Sequence, residues 1–566
     1  MTRPALCLAL LLLVASSQAD DRADDPPADL VLRGGVVHTL DPARPKAGAV
    51  AVRGDRIVGV ADAPQAGWIG SGTRVVDLDG ACVVPGLWDA HGHLLSLGLA
   101  DAEVDLTGAR SFAEVVERVA ARANDVRPGE WVVGRGWDQN LWPKDEFGGE
   151  FPTHERLSQA VPGHPVSLSR VDGHATLLNA RALAAHGIGP GTASPPGGEV
   201  VKDAQGRPTG VLVDAAMALA PEPAPSPAQT RAALRAAARE CVRYGLVGVH
   251  DAGVTAGSLA MLEELARAGE LPLRVYAMLS ESAATGDVLA AGPRVNLHGR
   301  LTVRAIKTFV DGALGSRGAW LLEPYADRPD ARGLPQQTQE ELEALLARAA
   351  RYGFQVCAHA IGDAAVRRVL DAVERVEADL GRERVRAVRP RIEHAQVVHP
   401  ADVERFGPLG VIPSMQPTHA TSDMGWAEAR LGPERVRSAY AWQTLLEAGA
   451  PGIACGSDFP VEGVSPLWGL HAAVTRVDAD GKSPHGSGGW FPHQRLTREQ
   501  ALLGFTRWAC AAAFMEEDGG AITVGRWADL AVFDRDLLTC EPAALRALEA
   551  RLTIVGGRVV HEAPPR

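Results

Sequence analysis

Val83-Val84-Pro85-Gly86-Leu87-Trp88-Asp89-Ala90-His91-Gly92-His93 is an apolar run that ends on an acid and two imidazoles. Seven further apolar runs resemble it in length and setting: Leu246 to His250, Leu273 to Leu279, Val303 to Val310, Phe354 to Ala358, Arg391 to Glu393, Val411 to Met415 and Gly452 to Gly456. Amphipathic stretches lie between them. Thr338-Gln339-Glu340-Glu341 has capping-box spacing, and Leu342, Leu345, Leu346 and Ala349 then repeat at helical intervals. Gly353 stops that helix before the next strand. Ser111 to Glu114 and Thr497 to Gln500 show the same box. Strands alternating with helices predict an α/β fold with a parallel sheet. Eight strands are the number for a (β/α)8 TIM barrel. The count works only if residues 95–235 are a long insertion after the first strand.

Outward from the barrel, both chain ends read as short strands with tight turns. Leu30 to His38, Ala49 to Val52 and Ile57 to Val60 are broken by Gly-Asp turns. Ala528 to Asp534 and Leu552 to Val560 repeat the style. Neither end can bury a sheet well alone. The expected organisation is a β-sandwich from 29–85 and 516–566, a barrel from 86–94 and 236–515, and a lid from 95–235. The lid has strands of its own, Trp131 to Arg135 and Val166 to Arg170, and leaves through a Pro-rich exit at 221–227.

Residues 1–19 read as a secretory signal peptide. Arg3 precedes an apolar run, and Ser17-Gln18-Ala19 offers a small-residue cleavage site. A periplasmic or secreted location follows, with no membrane span left after cleavage. The 566 residues are 46% hydrophobic and 22% charged, which excludes disorder as the dominant state. A net charge of −12 and 5% aromatics argue against a nucleic-acid partner. Seven cysteines are too few for a disulfide scaffold, and none forms a CxxC pair. A homodimer is an ordinary starting expectation for an enzyme and rests on no motif.

Metal-ligating side chains collect where the strands end. His91 and His93 stand at i and i+2, on one side of the chain. His359, His394 and Asp458 each follow a different strand, at the end where barrel active sites are built. Neutral imidazole is the commonest ligand for zinc-like metals. Lys307 interrupts the apolar run Ala305 to Val310. Burial favours its neutral amine, which can add CO2 to give a carbamate able to bridge two metals. A lysine that snorkels to the rim, or pairs with Asp311, is the other reading.

This order of motifs resembles the amidohydrolase superfamily of metal-dependent hydrolases, in the subgroup with N-substituted formamide deformylases and YtcJ-like proteins. The resemblance spans about residues 29–562. It is carried by Val84 to His93, Arg135 to Asp138, Asp172 to His174, Lys307 to Ser316, His359 to Asp363, Arg391 to Gln396, Ser414 to Pro417 and Gly456 to Val461. Gly525 to Leu530 resembles the family's return to its small β domain. The resemblance implies two divalent metal ions, zinc first among the candidates, with iron, manganese and nickel also compatible. His91, His93 and Asp458 would hold one, His359 and His394 the other, and carboxylated Lys307 and a hydroxide would bridge them. Gly92 and Phe459 depart from the residues expected beside those ligands, which leaves the ligand set intact but puts the pocket's shape in doubt.

Hydrolysis of an amide-type C–N bond in a small molecule is the function so implied, on an N-substituted formamide or N-acyl compound. Asp458 is the expected general base and acid. His174 is a candidate donor to the substrate, with a structural histidine as the alternative. Trp137, Asp138, Asp172, Ser316, Arg317, Gln416 and His419 are the expected substrate contacts. Trp137 reads equally as core of the insertion, and Arg317 reads also as a surface ion pair. A lactone, ester or cyclic amide would suit the same site. A non-catalytic binding or regulatory protein on this fold is the third reading.

Overall fold

The computed structural model describes residues 26–564 apart from 144, 145, 147–149, 283 and 284. The expected signal peptide at 1–19 lies outside the described residues. Eight parallel strands follow one another in chain order: β1 Leu87–Gly92, β2 Leu246–Val254, β3 Arg274–Ser280, β4 Leu301–Phe309, β5 Gln355–Ala360, β6 Arg391–His394, β7 Ile412–Met415 and β8 Ala454–Cys455. Just beyond β8 and β1 the ring is joined by backbone. Asp458 N–H donates to His91 O at 2.7 Å, and His93 N–H donates to Phe459 O at 2.9 Å. The ring is a TIM-type barrel.

The helices start and stop where their sequences require. Thr338 closes a full capping box over Gln339–Tyr352, and Gly353 ends that helix at φ +81°. Thr497 does the same for Arg498–Gly504. At Ser111 the box is half made: its side chain accepts from Glu114 N–H, while Glu114 Oε2 accepts from Arg110 N–H instead. The insertion leaves the barrel after the helix Leu94–Leu99. The chain returns at Ser226, which caps the helix Pro227–Arg243. That return is earlier than the boundary expected at residue 236.

The opening strand is corrected. Val83 to Trp88 is not one strand: Cys82–Pro85 belongs to the terminal sheet, and Leu87 begins the barrel. Gly86 is the break, because its N–H donates to Asp529 O at 2.9 Å and a Cβ there would overlap Val247. The terminal strands are one sheet rather than the expected two. Cys82–Pro85 pairs on one side with Leu30–His38 and on the other with Leu530–Phe533, so the pairing runs unbroken through both chain ends. Leu30, Val50, Val83, Leu530 and Ile554 share one core on its inner face. The buried Arg274–Asp529 ion pair, at 2.6 and 3.0 Å, fixes this sheet to the start of β3.

The insertion folds around its own six-stranded mixed sheet, ordered Gly198–Lys202, Pro208–Asp214, Ala175–Leu178, Val166–Arg170, Val132–Trp137 and Val104–Asp105. Phe112, Val119, Trp137, Trp142, Phe151 and Leu168 form its main core. The end of this sheet carrying Arg170, His174 and Asp214 faces the C-terminal mouth of the barrel, where these side chains meet the loop after β4. Among the described residues, no helix is long and apolar enough to cross a membrane. Cys82, Cys241, Cys357, Cys455, Cys510 and Cys540 are all free thiols.

Candidate functional site

Asp89 organises the site from below. It is fully buried at the end of β1 and accepts from His91 N–H at 3.0 Å, Ser457 N–H at 3.1 Å and Ser457 Oγ–H at 2.6 Å. These bonds lock the end of β1 to the chain after β8, which brings His91 to Asp458. Asp458 sits at φ +62° and His394 at φ +73°, left-handed conformations uncommon for such residues. Strain of this kind concentrates where a side chain must be aimed.

Three imidazoles are aimed in the same way. His91 Nδ1 bonds Glu393 Oε2 at 2.6 Å, His93 Nδ1 bonds Ala252 O at 2.8 Å, and His394 Nδ1 bonds Gln416 Oε1 at 2.8 Å. In each the outer nitrogen is occupied and Nε2 is left for the centre. Such outer partners fix the tautomer and orientation of metal-ligating histidines. His93 Nε2 lies 2.9 Å from Asp458 Oδ1, and His91 Nε2 lies 3.6 Å from it. The ring centroids of His91 and His394 are 4.9 Å apart, and those of His394 and His359 are 4.5 Å apart. Ligand atoms of His91, His394 and Asp458 all lie within 4.8 Å of one another.

Lys307 completes the cluster. Its Nζ is 3.3 Å from His91 Nε2 and its side chain is buried, so it does not snorkel to the rim. Asp311 is not its partner either. That carboxylate accepts from the N–H groups of Trp320, Ile361 and Gly362 at 2.8, 3.0 and 2.8 Å. Burial pulls the Lys307 amine below its usual range.

The charge states suit a cation. Burial pulls His91 down to about 4, and it holds His359 and His394 well below the usual imidazole range. All three therefore keep a free lone pair near neutral pH. Burial would raise the carboxyls of Glu393 and Asp458, but Arg391 beside the first and the His91 and His93 imidazoles beside the second outweigh it and hold both well below normal. Arg391 forks onto Glu393 at 2.8 and 3.0 Å and also reaches His250, Ala90 O and Ser414. Neutral imidazoles, ionised carboxylate and a buried amine around one point are the donor set of a divalent-metal site.

Above the cluster lies a cavity of about 220 Å³ lined by both barrel and lid. His359, His394 and Asp458 form its floor, and Asp138, Arg170, Asp172 and His174 form its lid side. His419 stacks on His394 with centroids 5.9 Å apart, and its Nε2 is 3.7 Å from Asp458 Oδ2. Arg170 is buried and pairs with both Asp138 and Asp172, with Gln139 Oε1 on its Nε at 2.7 Å. His174 comes from the lid, yet its ring lies 4.8 Å from that of His359. Its burial lowers the imidazole pKa, but the hydrogen bond to Asp214 and that carboxylate's charge outweigh this and raise it.

Four expected substrate contacts are placed elsewhere. Trp137 is buried in the lid core, where its Nε1–H donates to Leu168 O at 2.7 Å. Ser316 Oγ–H turns back onto Ala313 O at 3.3 Å. Arg317 is spent on ion pairs with Glu150 and Asp327. Gln416 holds His394 from behind. Sequence reasoning missed Asp89, Arg170, Gln396, Asp423 and Glu462, of which the last four line the cavity. The available signal was charge inside apolar runs: Asp89, Arg170 and Glu393 all sit where a strand should be hydrophobic.

Known proteins share this organisation. The amidohydrolase family model matches residues 74–561. The chain is 32% identical over 504 residues to the putative amidohydrolase YtcJ of Bacillus subtilis, covering 87% of this chain and 91% of that protein. It is 28% identical over 559 residues to N-substituted formamide deformylase of Arthrobacter pascens, covering 94% and 98%. An uncharacterized metal-dependent hydrolase from Pyrococcus horikoshii superposes with a TM-score of 0.73 at 28% identity, covering 91% of this chain and 99% of that one. On the match to its barrel, its terminal sheet and its lid together, the chain belongs to the amidohydrolase family.

Proposed function

We propose that the protein is a metal-dependent hydrolase of an amide-type C–N bond in a small molecule, exported to the periplasm or beyond. The observation that carries this reading is the common aim of His91, His93 and His394: each is tied at Nδ1 and turns Nε2 toward Asp458 and Lys307. His91, His93 and Asp458 would hold one divalent ion and His359 and His394 a second, with Lys307, as its carbamate, a further ligand; the grouping of His91, His394 and Asp458 supports this. Zinc suits imidazole and carboxylate ligands of this kind. Bound there, such ions lower the pKa of water and polarise a carbonyl.

The chain's own residues supply the rest. Asp458 faces both the histidine cluster and the cavity, so it is placed to take a proton from the attacking water and pass it to the departing nitrogen. His174 overhangs the floor and is placed to donate to the carbonyl oxygen as charge develops there. Asp138, Asp172 and His419 line the cavity and would contact the substituents on the amide. The formamide bond named for the Arthrobacter relative supports the choice of a C–N bond. Export rests on the leader-like sequence at 1–19.

The test is a hydrolysis screen of the metal-reconstituted protein against formamides, N-acyl amino acids, dipeptides, esters and lactones, with products identified by mass. Turnover of a formamide or N-acyl compound above all others is expected. Turnover confined to esters or lactones would overturn the bond assignment.

A further inference from the structure

The lid and the barrel meet through three glycines in the loop after β4. A Cβ at Gly312 or Gly318 would overlap the carboxylate of Asp214, and one at Gly315 would crowd the guanidinium of Arg170. Both side chains come from the lid sheet. Asp214 is the deeper of the two: its side chain is wholly buried, while that of His174 is 13% exposed toward the cavity. The two residues are neighbours across antiparallel lid strands. Ala175 pairs with Val213, and Asp214 N–H donates to His174 O at 3.0 Å. Their side chains then bond a second time, with His174 Nδ1 2.6 Å from Asp214 Oδ1.

Asp214 is held there against its own backbone preference. It lies at φ +50° and ψ −124°, outside the regions open to most residues. The other oxygen, Oδ2, is buried without a hydrogen-bond partner. A strained backbone and an unsatisfied buried oxygen are each destabilising. A purely structural position would be relieved by a smaller or uncharged residue. Here the arrangement does one thing such a residue cannot do: it fixes the proton of His174 on Nδ1 and turns Nε2 to the cavity.

We infer that Asp214 is a positioning residue for His174, and that the Gly312 and Gly318 backbone forms the seat through which closure of the lid on the barrel sets this pair. The inference rests on the role of His174 proposed above. The carboxylate does not touch substrate. It orients the imidazole and, as an anion against Nδ1–H, supports a ring protonated at both nitrogens, so that the lid delivers Nε2–H as a defined donor over His359. An amide in its place has no charge to support the doubly protonated ring, and its oxygen accepting from Nδ1–H leaves Nε2 as an acceptor.

The test uses the full-length, metal-loaded enzyme and the variants Asp214→Asn, His174→Ala, the double variant and Gly312→Ala. Gly312 is not in the left-handed region, so alanine there tests only the close approach. The imidazole N–H proton is read by downfield proton NMR without substrate. Beside the downfield resonance expected from the His91–Glu393 bond, one resonance present in the parent should be missing in both Asp214→Asn and His174→Ala. With the amide found in the screen, Asp214→Asn and Gly312→Ala should each lower kcat on the order of 10²-fold, with KM little changed. Asp214→Asn should cost nothing further once His174 is alanine. An equal loss in both backgrounds, or a resonance retained in Asp214→Asn, would overturn the inference. If no amide is turned over, the functional reading fails while the resonance still decides the pair.

Discussion

The floor of the cavity and its roof are built on opposite terms. On the floor the side chains grow from the ends of barrel strands, and His91, His93 and His394 are tied from behind by Glu393, Ala252 O and Gln416. On the roof, Arg170, Asp172 and His174 come from a separately cored sheet and reach the floor only by docking. The difference teaches where chemistry and selectivity are divided. On the proposed function, the floor would fix what reaction is possible, and the roof would select the molecule and supply the donor.

The sharpest way to break that comparison is at the floor. His91→Ala should remove activity by more than about 10³-fold, exceeding what loss of one oxyanion-stabilising donor usually costs. Metal content should fall with it, measured by elemental analysis. If activity survives, the floor is not where reaction is determined. Glu393→Gln leaves every direct ligand in place but removes the charge behind His91. It should weaken metal affinity by about 10- to 100-fold. It should also lower the melting temperature, because Arg391 loses its buried counter-charge.

Roof variants should behave differently. Asp138→Asn is expected to raise KM by about tenfold while sparing metal content, the scale of one charged hydrogen bond. Trp137→Phe should cost about 1 kcal/mol of stability, since it loses the bond to Leu168 O, and should leave KM almost alone. A reversed pattern, with Trp137 changing KM and Asp138 changing only stability, would put the substrate on the other side of the lid sheet.

The smallest expected effect is a pH slope. Burial pushes Asp423, which lines the cavity, up to about 7. Its folded form holds a proton that the unfolded chain releases near pH 4, so its contribution to stability falls as pH rises from about 4 to 7. Asp423→Asn keeps an acceptor for Tyr440 and removes the titration. Its melting temperature relative to the parent should therefore climb between pH 5 and pH 8. A difference that stays flat would show that Asp423 is ionised throughout.

The same contrast governs what could be read from sequence. The barrel was legible because five of its eight strands carry ligands at one repeated place, the C-terminal end, in an order that chain position preserves. Its start was misread because the turn pair Pro85-Gly86 was read through as strand, and the role of Gly86 depends on Asp529 and Val247 far along the chain. Of the two readings open for Trp137, the core one holds for a local reason. Alternation puts it on the face of Arg135, but the register shifts between the two, and Gly136 turns at φ +99°. That bulge sends the indole into the core. The return to the barrel was visible but read as the lid's Pro-rich exit, although Ser226-Pro227-Ala228-Gln229 is a capping box with proline at the first position. Asp214 carried no local signal, since its meaning comes from His174 across the sheet and the glycines of another domain.

Metal dependence is the central property to measure. The protein is stripped with a chelator, then returned to zinc in steps, while bound metal and amide hydrolysis are measured on the same samples. Activity should vanish on stripping and return as two ions bind per chain, and His91→Ala should fail to recover it. Full amide hydrolysis by the stripped protein would contradict the account.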